Sequence, residues 1–276
     1  MQNALVVSAF GKDSLIQIDD KLINCTARKN VGSIVVGDSI VFDSGVITKI
    51  LPRKNLLASS GKNIASNIDE IFLTLAIKPY PQLLSIDNYL IKAKSSNINL
   101  SILINKSDIV DKKNIDMIAK IYSNLGYSVD FISAEKQENL AILDAKTKNK
   151  ICVFVGQSGV GKSSIVNYLH GSNKSQKIAI LGKDGLGKHT TTSSMIFNLK
   201  NGGKIIDTPG VREFNPDDLT PLEIKQGFFE FINFADKCKF YNCLHIFEPK
   251  CEVKKQLELG NVSSYRYKNY KQMLDK

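Results

Sequence analysis

The sequence predicts a multidomain α/β protein with a small N-terminal β-barrel, a central α/β domain and a C-terminal helical metal-binding domain. Three observations predict this order. Short alternating strands with glycine turns fill the first part of the chain, strands then alternate with helical stretches, and cysteines cluster near the end. We expect the domains to span residues 1–65, 66–215 and 216–276.

The composition fits a soluble globular chain, with 43% hydrophobic and 23% charged residues among 276. No apolar run approaches the roughly 18 residues that span a bilayer. The apolar start of the chain also lacks the charged region of a signal peptide, so we expect a cytoplasmic protein. The net charge of +10 is carried mostly by lysine. Either RNA binding or a composition bias of the genome explains it, and both remain open.

The barrel prediction comes from short apolar runs separated by turns at Gly11, Gly32, Gly37 and Gly45. Several short strands at such close spacing are typical of a barrel. The runs are Leu5–Val7, Leu15–Ile18, Ile34–Val36, Ile40–Phe42 and Val46–Ile47.

The central domain alternates apolar strands with helical stretches, as βα units around a parallel sheet do. Helices are expected around residues 83–93, 115–125 and 164–169. The predicted strands are Ile71–Ile77, Leu100–Ile104, Val129–Ile132, Ile151–Val155 and Lys204–Ile206.

A phosphate-binding loop follows the strand Ile151–Val155 and precedes a helix. Its glycines let backbone N–H groups point at phosphates, and the positive end of the helix dipole stabilises the negative charge of the phosphates. Lys162 is expected to reach the β- and γ-phosphates, and Ser163 to bind Mg²⁺. The loop residues are Gly156, Gln157, Ser158, Gly159, Val160, Gly161, Lys162, Ser163 and Ser164.

A guanine-recognition motif ends the strand Leu100–Ile104, with the sequence Asn105, Lys106, Ser107 and Asp108. A carboxylate at Asp108 can accept two hydrogen bonds from guanine, whereas adenine would leave it facing a lone pair. Asn105 is expected to hold the phosphate loop, and Lys106 to cover the base. After the next strand, Ser133 and Ala134 fit the loop whose backbone N–H meets guanine O6.

The switch motif Asp207–Gly210 follows the strand Lys204–Ile206. Asp207 is expected to reach Mg²⁺ through water, and Gly210 N–H the γ-phosphate. Val211 stands where Ras-like enzymes have the glutamine that orients the attacking water. Between the phosphate loop and Asp207 lies the first-switch candidate, residues 187–192, in which His189 is the best candidate to position that water, unless it is only a solvated loop residue. One threonine among Thr190, Thr191 and Thr192 is expected to close on Mg²⁺ and the γ-phosphate.

The order of these motifs is the base reader first, the phosphate loop second and the switch last. An ordinary GTPase domain begins with the phosphate loop and ends with the guanine motif. The sequence therefore predicts a circularly permuted P-loop GTPase domain. The rearranged chain can still form a single nucleotide site, because each of these loops still leaves the carboxyl edge of the same sheet.

Near the C-terminus, three thiols and an imidazole lie within one short segment, at Cys238, Cys243, His245 and Cys251. Three sulfurs and a nitrogen suit a closed, tetrahedral, structural Zn²⁺ site. Cys25 and Cys152 read as small core residues. Residues 265–271 alternate aromatic and cationic side chains, which fits either an RNA-binding face or an amphipathic helix.

The chain resembles the RsgA (YjeQ) family of bacterial GTPases, which act in late maturation of the small ribosomal subunit. The resemblance rests on the permuted order, on Gly156–Ser164, Gly187–Thr192 and Asp207–Phe214, and on the cysteine cluster. It implies an OB-type barrel, binding to the small subunit and its rRNA, GTPase activity stimulated by that subunit, and a catalytic role for His189. We expect a monomer with GTP or GDP, Mg²⁺ and one Zn²⁺.

Two other functions remain to be separated from this one. An RNA-binding module could use its nucleotide site only to report binding, although Lys162, Ser163 and Asp207 argue for turnover. A P-loop kinase or ATPase is disfavoured by Asp108 and by the Ser133–Ala134 loop.

Overall fold

The computed structural model describes residues 1–10, 13–59, 61–109, 113–171, 194–207 and 219–275. The strands among them are β1 Gln2–Phe10, β2 Asp13–Ile18, β3 Lys21–Ala27, β4 Ser39–Asp43, β5 Val46–Ile50, β6 Leu56–Ser59, β7 Lys62–Ser66, β8 Glu70–Ala76, β9 Asn99–Asn105, β10 Val129–Phe131, β11 Ile151–Val155, β12 Met195–Asn198 and β13 Lys204–Asp207. The α-helices are α1 Leu83–Ser95, α2 Lys113–Asn124, α3 Ala141–Thr147, α4 Lys162–His170, α5 Pro221–Gly227, α6 Ile232–Ala235, α7 Glu252–Glu258 and α8 Ser264–Leu274.

The first five strands form a closed barrel, which confirms the prediction. Their order is β1-β2-β3-β5-β4, and β4 pairs back onto β1. This closure removes the open edges that a five-stranded sheet would otherwise present. Alternate apolar residues fill the interior, with Val6, Ile16, Ile40 and Ile47 fully buried. Cys25 belongs to this core, as expected.

A hairpin of β6 and β7 follows the barrel and packs against the central domain. Leu57 and Ala65 belong to the same buried cluster as Ile71 on β8. The barrel strands themselves end at Ile50. The hairpin therefore lies within the predicted limits of the first domain but contributes to the core of the second.

The central sheet has the order β10-β9-β8-β11-β13-β12. Its first five strands are parallel, and β12 runs antiparallel to β13. Every residue of β8 is buried, as expected for a strand covered on both faces. The carboxyl ends of β9, β11 and β13 meet at one edge, which brings Asn105, Gly156 and Asp207 to the same side of the molecule.

The barrel and the central sheet are joined through β1, because Ser8 pairs with Met195 at the end of β12. A bulge between Val6 and Ser8 interrupts the pairing of β1 with β2. Bulges redirect side chains. Here Val6 belongs to the barrel core and Val7 to the core of the central domain. One eleven-stranded sheet therefore runs through both domains.

The C-terminal helices pack on α1 of the central domain. Helix α5 starts with a capping box, in which Thr220 accepts from the backbone of Glu223 and Glu223 accepts from Thr220 N. Helix α5 approaches α1 so closely that a β-carbon at Gly227 would lie 2.3 Å from Ile91 Cγ1. Ile91 joins the C-terminal apolar cluster with Ile224, Phe228 and others.

A buried ionic network crosses the same interface. Arg266 on α8 is 1% exposed, and its guanidinium contacts Asp87 on α1 and both carboxylate oxygens of Glu230, at 2.7 and 2.9 Å. Asn269 and Tyr122 also donate to Asp87, at 2.7 and 2.8 Å. Residues 265–271 were expected to form either an RNA-binding face or an amphipathic helix. Arg266 and Asn269 lie on the buried side of α8, as the amphipathic helix requires.

No helix in the described ranges is both long enough and apolar enough to cross a bilayer.

Candidate nucleotide and metal sites

The phosphate loop has the backbone that its glycines predict. Gly156, Gly159 and Gly161 all have positive φ, at 134°, 79° and 96°. A β-carbon at Gly156 would lie 2.1 Å from Thr74 O, and one at Gly161 2.2 Å from Asn105 Nδ2. A larger residue at Gly156 would require the Thr74 backbone to move, and one at Gly161 would displace the Asn105 side chain.

Lys162 begins helix α4 and folds back over the loop, where its Nζ donates to Gly156 O and Gln157 O, both at 2.6 Å. An ammonium held by these carbonyls lies above the loop, within reach of a phosphate bound there. Ser163 and Ser164 follow on the first turn of the helix.

Asn105 connects the base-reading loop with the phosphate loop. Its Nδ2 donates to Val160 O at 2.8 Å, and its Oδ1 accepts from Ala134 N at 3.0 Å. The side chain is 2% exposed. The contact with the phosphate-loop backbone is the one predicted for this residue. One side-chain amide therefore connects the base-reading loop, the phosphate loop and the Ser133–Ala134 loop. A displacement of one of these loops would act on the other two through Asn105.

Lys106 has a left-handed backbone, with φ of 61°, and its Nζ donates to Gly159 O at 2.7 Å and to Lys78 O at 2.8 Å. This lysine therefore stretches from the guanine motif to the phosphate loop. The contact with Lys78 was not predicted, since nothing in the sequence relates Lys78 to the motif.

Ser133 holds the carboxylate that is expected to read guanine. Its Oγ donates to Asp108 Oδ1 at 2.6 Å and accepts from Lys136 N at 3.1 Å. Ser133 is fully buried. Sequence reasoning assigned Ser133 and Ala134 only to guanine O6, and it missed that the hydroxyl orients Asp108.

The backbone N–H groups of this loop already have acceptors. Ser133 N donates to Glu138 O at 3.1 Å, and Ala134 N donates to Asn105 Oδ1. A bond from Ala134 N to guanine O6, as expected from the sequence, would therefore share or replace the bond to Asn105.

Asp207 is the last residue of β13 and is half-buried. Its strand lies beside β11, which leads into the phosphate loop. A carboxylate and the hydroxyl of Ser163 are hard oxygen donors, so their chemistry fits Mg²⁺. Six residues to which the sequence assigns switch roles lie outside the described ranges: His189, Thr190, Thr191, Thr192, Gly210 and Val211.

The four predicted zinc ligands converge. One ligand atom from each of Cys238, Cys243, His245 and Cys251 lies within 4.8 Å of all the others. Cys238 Sγ and Cys251 Sγ are 3.9 Å apart, and Cys251 Sγ is 3.4 Å from His245 Nδ1. In a tetrahedral site with Zn–S bonds of about 2.3 Å, two sulfur ligands lie about 3.8 Å apart. The residues present therefore fit zinc in donor type and spacing.

The imidazole of the cluster is uncharged at neutral pH, whereas the thiols would have to release their protons to bind a metal. Burial, together with the charge of Lys225, lowers the pKa of His245 to about 4, so the imidazole is neutral at pH 7 and able to bind a metal. Burial raises the pKa of Cys243 to about 12 and also raises that of Cys251. A bound cation would reverse this for the thiols, because it stabilises the thiolate.

The segment that carries His245 is fixed by neighbouring hydroxyl and carboxylate groups. Tyr267 donates to His245 O at 2.6 Å, and Tyr270 donates to Leu244 O at 2.8 Å. Glu248 accepts from Leu244 N and Ile246 N, at 2.6 and 3.0 Å. Tyr267 and Tyr270 of α8 thus support the cysteine cluster, a role that the alternation of aromatic and basic residues did not indicate.

The fold and the order of its loops define a circularly permuted P-loop nucleotide-binding protein. The family model of the RsgA GTPase matches residues 50–217. The small ribosomal subunit biogenesis GTPase RsgA of Actinobacillus succinogenes is 35% identical over 99% of this chain and 84% of its own length. Its counterpart in Mannheimia succiniciproducens is 36% identical over 99% and 83%.

Two solved structures are similar over nearly the whole chain. YjeQ from Thermotoga maritima has a TM-score of 0.79 and 31% identity, and the match covers 99% of this chain and 96% of that one. YloQ, described as a circularly permuted GTPase, has a TM-score of 0.78 and 28% identity, with 100% and 94% covered. The chain belongs to the RsgA GTPase family, and it is a GTPase.

Proposed function

We propose that this GTPase acts in the biogenesis of the small ribosomal subunit. In this proposal it binds the subunit and its rRNA late in maturation and leaves after hydrolysing GTP to GDP and phosphate. The structural observation that supports the GTPase part of the proposal is the bridge made by Asn105 between the base-reading and phosphate-binding loops. The assembly role is supported by relatives that match 99% of the chain and are named small ribosomal subunit biogenesis GTPase.

Guanine selection rests on Asp108. A carboxylate held by Ser133 presents acceptors to the guanine N1–H and amino group. Adenine would supply no donors for these two bonds, and a hydrogen bond to a charged group is worth about 1.5–3 kcal/mol. ATP is therefore expected to compete poorly with GTP for this site.

Phosphate binding is proposed for residues Gly156–Ser164. Lys162 would exchange its two carbonyl acceptors for phosphate oxygens, and the N-terminus of α4 would add its dipole. Ser163 and Asp207 would hold Mg²⁺, directly and through water respectively. The cation would supply charge neutralisation for the phosphoryl group.

Hydrolysis needs a group that orients water, and Val211 has none. We assign this role to His189, in the segment that precedes Gly210. One threonine among Thr190, Thr191 and Thr192 of the same segment would contribute to the Mg²⁺ site. The assignment rests on the sequence and on the resemblance, since these residues lie outside the described ranges.

The cysteine cluster is proposed to hold one structural Zn²⁺. Four protein ligands leave no position for a substrate, so the ion would stabilise the C-terminal domain rather than act in catalysis. We also propose the domain limits 1–65, 66–215 and 216–276, a monomeric state and a cytoplasmic location, where ribosomal subunits would be met.

Turnover of GTP by the purified protein, with and without small ribosomal subunits, tests the proposal. Subunits should raise the rate, and excess ATP should leave it unchanged. An unstimulated rate would contradict the assembly role. Subunit binding without turnover would favour an RNA-binding module, and inhibition by ATP would favour a P-loop ATPase or kinase.

Release upon hydrolysis has its own test. A non-hydrolysable GTP analogue should tighten subunit binding relative to GDP by about 5- to 150-fold, the range of typical coupling energies. Equal affinities of the two nucleotide forms would contradict release by hydrolysis, even if turnover were stimulated.

A further inference from the structure

The junction between the barrel and the central sheet lies close to the proposed Mg²⁺ ligand. Ser8 on β1 pairs with Met195 on β12, and Met195 pairs with Asp207 on β13. The three residues form one row across three strands. Two interstrand spacings of about 4.8 Å place Ser8 about 10 Å from Asp207.

Ser8 also makes a side-chain bond in this row. Its Oγ donates to Ser194 O at 2.8 Å, and the residue is fully buried. A second bond, from Asn198 Nδ2 to Gln17 Oε1 at 3.4 Å, connects the other end of β12 with β2 of the barrel. Strand β12 is therefore held at both ends by the barrel.

The pairing of β1 and β12 is short, with one residue pair in register. The Ser8 hydroxyl is thus a large part of the polar connection. Val7 adds apolar contact, since it lies in the same cluster as Ile196 of β12 and Ile206 of β13. A shift of the barrel would act on β12 through these contacts, and β12 is paired along its whole length with β13.

We propose that Ser8 is a positioning residue for Asp207, and that through it the barrel sets the affinity of the GTPase site for Mg²⁺. This inference rests on the proposed function, in which Asp207 contributes to Mg²⁺ binding. A partner bound to the barrel would then change Mg²⁺ affinity without touching the nucleotide. The coupling is reciprocal, as for any two linked binding sites.

The test compares the full-length wild type with Ser8→Ala, which removes the donor to Ser194 O. The measured quantity is the Mg²⁺ concentration at which dissociation of a fluorescent GDP is half-maximally slowed. We expect it to rise about 2- to 10-fold in Ser8→Ala, up to the factor that one buried neutral hydrogen bond can supply. GDP affinity in excess EDTA should stay unchanged, because the base and phosphate loops are intact.

Two further variants sharpen the comparison. Ser14→Ala is the matched control: Ser14 is 3% exposed on β2, and its backbone oxygen accepts from Cys25 within the barrel. It should leave the Mg²⁺ midpoint unchanged. Gln17→Ala removes the bond to Asn198 at a less buried position and should shift the midpoint in the same direction, by a smaller factor. If Ser8→Ala does not fold, the Mg²⁺ midpoint of Gln17→Ala tests the proposal in its place.

Midpoints equal to wild type in folded Ser8→Ala and Gln17→Ala would overturn the proposal, and so would an equal shift in Ser14→Ala. A wild type that does not respond to Mg²⁺ would instead contradict the proposed function. In that case hydrogen exchange of nucleotide-free protein decides the positioning role. Amides of β12 and β13 should exchange faster in Ser8→Ala than in Ser14→Ala, and equal rates would reject the role.

Discussion

Replacement of Arg266 by methionine should severely destabilise the attachment of the C-terminal domain. The guanidinium is 1% exposed and faces Asp87, which is fully buried, and Glu230. Methionine keeps part of the apolar stem but supplies no donor, and it lacks the guanidinium, whose Cζ lies 4.4 Å from the centre of the Phe228 ring. Asp87 would keep only its neutral donors, Asn269 and Tyr122.

The expected loss in the free energy of unfolding is about 3–5 kcal/mol, the usual result of orphaning one partner of a buried ion pair. At about 2–4 °C per kcal/mol, the midpoint of thermal unfolding should fall by about 6–20 °C. The control is Lys255→Met, because Lys255 is 64% exposed and lies 3.6 Å from Glu252, a geometry that contributes little to stability.

The loss should also depend on pH. Burial raises the pKa of Asp87 above its ordinary value of 3.8, while the charge of Arg266 opposes this rise. Without Arg266 the pKa rises further, so the folded state binds a proton that the unfolded state has released. The contribution of Asp87 to the stability of the variant is then fully present below pH 3.8 and is lost as pH rises through the folded-state pKa. The deficit relative to wild type should be larger at pH 8 than at pH 5.

Urea unfolding followed by circular dichroism at several pH values measures the effect, since the chain has no tryptophan to report it by fluorescence. Asp87→Asn in the Arg266→Met background removes the orphaned charge and should recover part of the loss at pH 8. A deficit below about 1 kcal/mol, or one that does not change with pH, would refute this account of the network.

The remaining predictions concern the nucleotide and metal sites. Asp108→Asn should shift base preference from guanine towards xanthine, because the amide then donates to the xanthine 2-oxo group; unchanged GTP affinity with no gain for XTP would show that Asp108 does not read the base. Cys243→Ser should lose tightly bound zinc in metal analysis and destabilise residues after about 230 while nucleotide binding persists; a metal-free wild type would rule out the zinc site. His189→Ala should lower subunit-stimulated turnover by about 10²-fold or more with little change in nucleotide affinity, as measured by single-turnover hydrolysis; near wild-type turnover would assign the water-positioning role to another group.

The parts of the fold that the sequence predicted are those whose signal is local. In the predicted strand Leu100–Ile104 every residue except Ser101 is apolar and every residue except Leu100 is buried, as in a strand covered on both faces. The convergence of the four proposed zinc ligands was predictable because all four lie within a segment of 14 residues and belong to the few side-chain types that bind this metal.

The parts that were missed depend on long-range contacts. Strand β12 is only four residues long and is not distinguished by its composition. Arg266 and Asp87 are 179 positions apart, and an arginine between two tyrosines gives no sign of burial. The orientation of Asp108 by Ser133 likewise appears only when two loops meet in space.

The extension of β1 onto β12 has a consequence for the isolated central domain. Strand β12 is the antiparallel edge strand of the central sheet, and β1 pairs with its free edge at Ser8. An uncovered strand border offers unpaired N–H and C=O groups to other chains, which promotes aggregation. A central domain cut away before residue 50 would expose this border and would also lose Val7 from its core. We therefore expect a central domain without the barrel to aggregate more readily than the full-length chain.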